Sequence, residues 1–217
     1  MKNHVQNYWT TKMEQVKNSF EANNFEVHVV RNSNDAAELV LNRIMPALSP
    51  KSLGWGGSQT FISTGLYDRL KGLTEIEVID TFDKSIPSEQ ALERRRKALL
   101  TDLFITGSNA VTETGELVNL DMIGNRVAAL AFGPKNVVVL AGRNKIVPDI
   151  DAGIARIKDY AAPVNAMRLE KKTPCSKTAS CHDCSSPDRI CNTWVITEKS
   201  FPKGRIILVL INEDLGL

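Results

Sequence analysis

Runs of consecutive apolar residues alternate along this chain with segments of helical periodicity, and that alternation restricts the fold more than any other feature. A strand covered on both faces needs no polar side, so it reads as a near-continuous apolar run. Residues 25–30 (FEVHVV) alternate and then become continuously apolar, and residues 52–55, 76–80 and 103–106 behave as further strands. More strands are expected at 116–120 and 137–141, and residues 205–211 (RIILVLI) suit the centre of a sheet. Helices fall between them. Residues 2–23 place Val5, Tyr8, Met13, Val16 and Phe20 at roughly helical spacing. Ser33, Asn34 and Asp35 supply a cap for a helix through Ala36, Leu39, Val40 and Ile44, which is expected to stop before Pro46. Gly56, Gly57 and Ser58 form a turn into a helix around Phe61, Ile62 and Leu66, and further helices run over 87–99 and 148–160. The fold class is α/β, a mainly parallel sheet with helices on both faces.

A chain of 217 residues has room for one such domain with an appendix. The formal net charge of +2 argues against nucleic acid or an anionic membrane as partner. No segment is apolar for long enough to cross a bilayer, and the first residues have no signal-peptide core, so the expected location is the cytoplasm.

All four cysteines, Cys175, Cys181, Cys184 and Cys191, lie in the stretch TPCSKTASCHDCSSPDRICNTW, spaced C-x5-C-x2-C-x6-C. Residues 168–192 are rich in Lys, Ser, Thr, Asp and Pro and too poor in large apolar side chains to order themselves by burial. The expected organisation is an α/β domain over 1–167 with 193–217, and a four-cysteine insert over 168–192 held before the last strand. Four thiolates complete a tetrahedral zinc site or hold one iron–sulfur cluster, and either contributes far more order to a polar loop than a disulfide does. Two disulfides are the plainer alternative, disfavoured in a reducing compartment. The single C-x2-C pair with wider flanks suits a [4Fe–4S] cluster better than zinc, although it matches neither standard ferredoxin spacing. Arg168, Lys171, Lys172, Lys177 and Arg189 are near enough in sequence to offset the charge of a thiolate-bound centre, and His182 reads as a bystander.

Two loops are candidates for a small-molecule site. Gly54-Trp55-Gly56-Gly57-Ser58 lies between strand and helix, where exposed N–H groups favour an anion, or where the glycines serve only a tight turn. Thr106 to Glu116 follows an apolar strand and is crowded with hydroxyls, an amide and a carboxylate. Ligands of open parallel sheets bind at such strand ends. Thr112 and Thr114 flank Glu113, whose carboxylate has the chemistry of a base or nucleophile and equally that of a turn residue. Asn125 and Arg126 follow as further ligand candidates, with an ordinary ion pair the alternative for Arg126. The run Arg94-Arg95-Arg96-Lys97 reads as a solvated helix face with a Glu93–Lys97 pair.

The stretch TGSNAVTETGELVNLDMIGNRVAAL, with VVVLAGRNKIVPDIDAGIARI after it, resembles the LUD domain of lactate-utilisation proteins, in particular the short LutC/YkgG-type members. The resemblance covers roughly residues 1–165. It implies a fold similar to sugar-phosphate isomerases and CoA-transferases. It also implies a part in lactate oxidation to pyruvate, alongside iron–sulfur oxidoreductase subunits. The glycine turn and Arg126 point to a small anionic metabolite as ligand. The expected function is therefore an iron–sulfur component of 2-hydroxy-acid utilisation. The alternatives are an isomerase- or CoA-transferase-like enzyme working through Glu113, or an anion-binding regulatory module, each with a structural zinc site.

Overall fold

A computed structural model describes residues 4–217. The chain opens with α1 (His4–Ala22), so the first residues of the helix expected over 2–23 lie outside the described part. Strand β1 (Glu26–Val30) follows, then α2 (Ser33–Leu39), a π-helical turn (Val40–Ile44) and α3 (Met45–Leu48). The cap of α2 is Asn32, whose side chain accepts from the Asp35 N–H. Contrary to expectation the helix passes Pro46. The wider π turn, closed from Met45 N–H to Val40 O, makes room for a ring that has no N–H to offer. Strand β2 (Ser52–Trp55) leads to α4 (Gln59–Ser63) and α5 (Leu66–Leu70), separated at Gly65 with φ +71°. Next come β3 (Glu77–Ile79), α6 (Ser88–Ala98) and β4 (Leu103–Gly107).

The middle of the chain departs most from the expected pattern. Strands β5 (Ala110–Thr112) and β6 (Leu117–Asp121) form an antiparallel hairpin outside the main sheet. Helix α7 (Asn125–Ala131), short and preceded by Gly124 in place of a capping side chain, carried no clear sequence signal. Strand β7 (Asn136–Gly142), β8 (Ile146–Val147) and α8 (Ile150–Arg156) follow, and a second π turn (Ile157–Ala161) carries the helix past Pro163 through α9 (Ala162–Arg168). A short α10 (Cys175–Thr178) lies in the cysteine segment. Strand β9 (Thr193–Thr197) then precedes β10 (Ile206–Ile211). The cysteine segment is thus followed by an edge strand that pairs antiparallel with β6, one too short and too exposed to register as an apolar run.

The six-stranded sheet is parallel throughout, in the order β1-β10-β7-β4-β2-β3. The run at 205–211 does sit inside it, between β1 and β7. Its side chains divide by parity. Ile207, Val209 and Ile211 join the core formed with α2, the first π turn, α4 and α5. Ile206, Leu208 and Leu210 join Met13, Val16 and Phe20 of α1 with Ala129 and Leu130 of α7. A second sheet, β8-β5-β6-β9, packs Ala110, Val118 and Leu120 against Ile157 and Ala162 of the helix over α8 and α9. No helix among the described residues is long and apolar enough to cross a membrane.

Candidate functional site

A cleft of about 260 Å³ opens where the carboxyl ends of β2, β4 and β7 face the second sheet. Such strand ends leave backbone groups without ladder partners, which is why open parallel sheets bind ligands there. Gly57 and Ser58 enter it after β2, Gly107 and Ser108 from β4, and Lys145 from the turn after β7. Opposite them stand Asp121 of β6, Asn125 and Arg126 of α7, and Asn165 and Arg168 of α9. Gly107 lets the ends of β2 and β4 approach each other, since a Cβ there would lie 2.4 Å from Ser58 Oγ.

Of the glycine turn, only Gly57 and Ser58 line the cleft. Gly54 faces α6, where a Cβ would come within 3.0 Å of the Ala98 Cβ, and Gly56 lies against the Phe104 ring. Ser58 caps α4, its Oγ accepting from Phe61 N–H at 3.1 Å. Asn125 lies on the cleft wall.

Arg126 is also there, but its donors are committed within the protein. Its guanidinium bonds Asp121 Oδ1, the Gly107 and Leu120 carbonyls, and the side-chain oxygens of Asn119 and Asn109. Asp121 in turn accepts the Arg126 and Val127 N–H groups at the start of α7, at 2.9 and 3.0 Å. A guanidinium has five N–H donors, so Arg126 fixes the wall and is no free ligand for an anion.

The geometry does not bring the Glu113 loop to the cleft. Glu113 sits in the turn between β5 and β6, its N–H on Val147 O and its carboxylate 2.7 Å from Lys12 Nζ of α1. Thr112 is buried beneath that turn. Its Oγ1 accepts the N–H groups of Gly115 and Glu116, and both Thr112 and Thr114 hydroxyls donate to the Glu116 carboxylate. The loop's hydroxyls and the Glu116 carboxylate are spent on its own shape, and the Glu113 carboxylate on α1.

Two cations that sequence reasoning passed over do face the cleft. Lys145 is buried at 4 % exposure, yet has no carboxylate within ion-pair distance among the described residues. Its Nζ donates to Thr60 Oγ1 at 2.8 Å and Ser108 O at 3.0 Å. Burial, with smaller contributions from Arg156 and Arg126, lowers its pKa from 10.5 to about 7. Arg156 itself is held by the Asn144 and Asn109 carbonyls. Arg95, dismissed within a solvated basic run, also lines the cleft and makes no ion pair among the described residues. Its neighbours are occupied: Arg94 pairs with Asp83, and Arg96 with Glu93 in place of the expected Glu93–Lys97 pair. The signal available for Lys145 was its place in a loop just beyond the carboxyl end of a fully apolar strand.

The cysteine segment forms part of the same wall through Leu169 and Ile190. Arg189 organises it, donating to Cys184 O and Cys191 O, with Asp183 at 3.7 Å. The Asp183 N–H donates to Cys181 Sγ at 3.5 Å, while His182 bonds Thr178. Burial pushes the half-buried Cys191 thiol up, Arg189 opposes that, and the three other cysteines are close enough to add to the rise. Among the described residues no three His, Cys, Asp or Glu side chains meet at the spacing of a single metal ion, and no disulfide forms.

Fold and cleft together define an α/β protein with a cation-lined cleft at the carboxyl ends of parallel strands. The chain belongs to the LUD domain family, whose model matches residues 13–211. Among solved structures it is similar to a DUF162 family protein from Deinococcus radiodurans. That match has 16% identity and a TM-score of 0.48, over 94% of this chain and 97% of the other. A search of curated proteins finds no match.

Proposed function

We propose that this LUD-domain protein is a component of lactate, or more broadly 2-hydroxy-acid, utilisation. In this reading it holds a small carboxylate in the cleft, beside a four-cysteine module that carries a [4Fe–4S] cluster within an oxidoreductase complex. One observation carries the reading: Lys145 is a buried cation without a carboxylate partner. Burying an uncompensated charge costs several kcal/mol, on the order of the penalty for an unpaired ion, and a site that binds an anion recovers it. Arg95 adds a second positive group, and Asn125 and Ser58 stand on the wall as hydrogen-bonding partners. Leu120, Met122, Ile123 and Ile190 offer apolar surface for a short carbon chain. A cleft of about 260 Å³ suits a small acid.

Cys175, Cys181, Cys184 and Cys191 fit an iron–sulfur centre by donor type, by the N–H on Cys181 Sγ and by the nearby charge of Arg189. When bound, such a cluster supplies one-electron transfer. Zinc is the second candidate. With Zn–S near 2.3 Å, tetrahedral geometry brings sulfurs to within roughly 3.8 Å of one another. The single C-x2-C pair with wider flanks is what favours the larger cluster. The alternative of a transferase working through Glu113 draws no support from a carboxylate paired with Lys12 outside the cleft.

Protein purified without oxygen tests the module. Iron and sulfide near four each, with absorbance close to 400 nm that disappears in the Cys184→Ser variant, are expected on the order given by a thiolate-bound cluster. Zinc alone, or neither metal, overturns the iron–sulfur assignment.

A further inference from the structure

Lys145 has a chemistry that anion binding alone does not use. A lysine buried for structure is ordinarily paired with a carboxylate. Here the side-chain carboxylate on the cleft wall, Asp121, is taken by Arg126 and the N–H groups at the start of α7. The partners of Lys145 Nζ are a hydroxyl and a carbonyl, both neutral. Thr60 directs its own proton to Leu215 O at 3.3 Å, so its oxygen faces Nζ as an acceptor. Arg126 and Arg156 lie close enough to oppose a further positive charge, and burial opposes it more strongly. Desolvation beside other cations is how a lysine keeps its amine neutral and nucleophilic. Lys145 is itself part of the cleft lining, and the two bonds its Nζ donates leave the lone pair of a neutral amine unshared.

Resting on the reading of the cleft as a small-carboxylate site, we infer that the Lys145 amine forms an imine with the carbonyl carbon of a 2-oxo acid bound there. The Nζ lone pair attacks the carbonyl carbon, the C–N bond forms, and the oxygen takes a proton from nitrogen to give a carbinolamine. Loss of that hydroxyl with the second amine hydrogen, as water, leaves the C=N bond. The step consumes no other reagent. Arg95, also on the cleft wall, is the cation placed to hold the acid's carboxylate during attack.

The test is reductive trapping. The full-length protein is incubated with pyruvate and cyanoborohydride near pH 7, and the adduct is located by peptide mass mapping. The expected product carries the acid less one oxygen atom on the peptide containing Lys145, and Lys145→Arg loses it. No adduct, or an adduct spread over surface lysines and unchanged in Lys145→Arg, overturns the proposal. Pyruvate-induced thermal stabilisation, measured in parallel, separates the two levels. Stabilisation without an adduct removes the imine and leaves the carboxylate site standing, whereas neither effect removes both.

Discussion

Lys145 donates to Thr60 Oγ1 over 2.8 Å, a bond that ties the turn after β7 to the first turn of α4 at the bottom of the cleft. Both residues are buried, and no carboxylate among the described residues lies within ion-pair distance of the amine. The fold tolerates this arrangement at a cost.

Replacing Lys145 by Met should stabilise the protein. The unfolded chain holds the Lys145 proton up to pH about 10.5 and the folded chain only up to about 7, so the folded state is penalised below 10.5, fully so below 7. A shift of that size corresponds to at most about 5 kcal/mol at low pH, less whatever the two lost hydrogen bonds contribute. Urea unfolding at pH 6 should show the variant more stable, while carboxylate binding disappears. A less stable variant would show that the amine is a structural element.

Carboxylate affinity should rise as pH falls through 7. The sign follows from the ligand's preference for the ammonium form, which the free site populates only below its depressed pKa. Above pH 7 binding should therefore draw a proton from solution. Titrations in buffers of different ionisation enthalpy would reveal this as a heat that depends on the buffer. An affinity flat from pH 6 to 8.5 would remove Lys145 from the binding step.

Arg126 should matter to the fold before it matters to the ligand. Changing it to Leu leaves Asp121 buried at 9 % exposure and strips support from Asn109, Asn119 and the Gly107 carbonyl. Removing one member of a buried pair costs about 3–5 kcal/mol. Chemical denaturation checks the magnitude, and a loss under 1 kcal/mol would mean the network is far looser than its distances indicate.

Glu113→Gln should leave ligand binding intact. Its ion pair with Lys12 is partly exposed and joins the β5–β6 turn to α1, so the loss should stay below about 1 kcal/mol. A large fall in carboxylate affinity would return this residue to the site.

The parallel sheet was legible because its strands are apolar on both faces, and residues 206–211 are buried at every position. The second sheet was not. Residues 110–112 and 193–197 are short, and the latter is half exposed, so neither carries a period strong enough to recognise. The cleft was half legible. Ser58, Asn125 and Arg126 lie on it, but hydroxyls and a carboxylate around Glu113 suggested chemistry where the structure has a turn satisfied by its own side chains. Lys145 and Arg95 were missed because composition does not distinguish a cation that lacks a partner from one that has it. That distinction appears only when Arg94 and Arg96 are seen paired and Arg95 is not.

Calorimetric titration of the anaerobically purified protein with lactate and with pyruvate tests the account most directly. One site per chain is expected, weakened by Arg95→Met and lost in Lys145→Met. Absence of binding by either acid, or binding that survives loss of both cations, would contradict it.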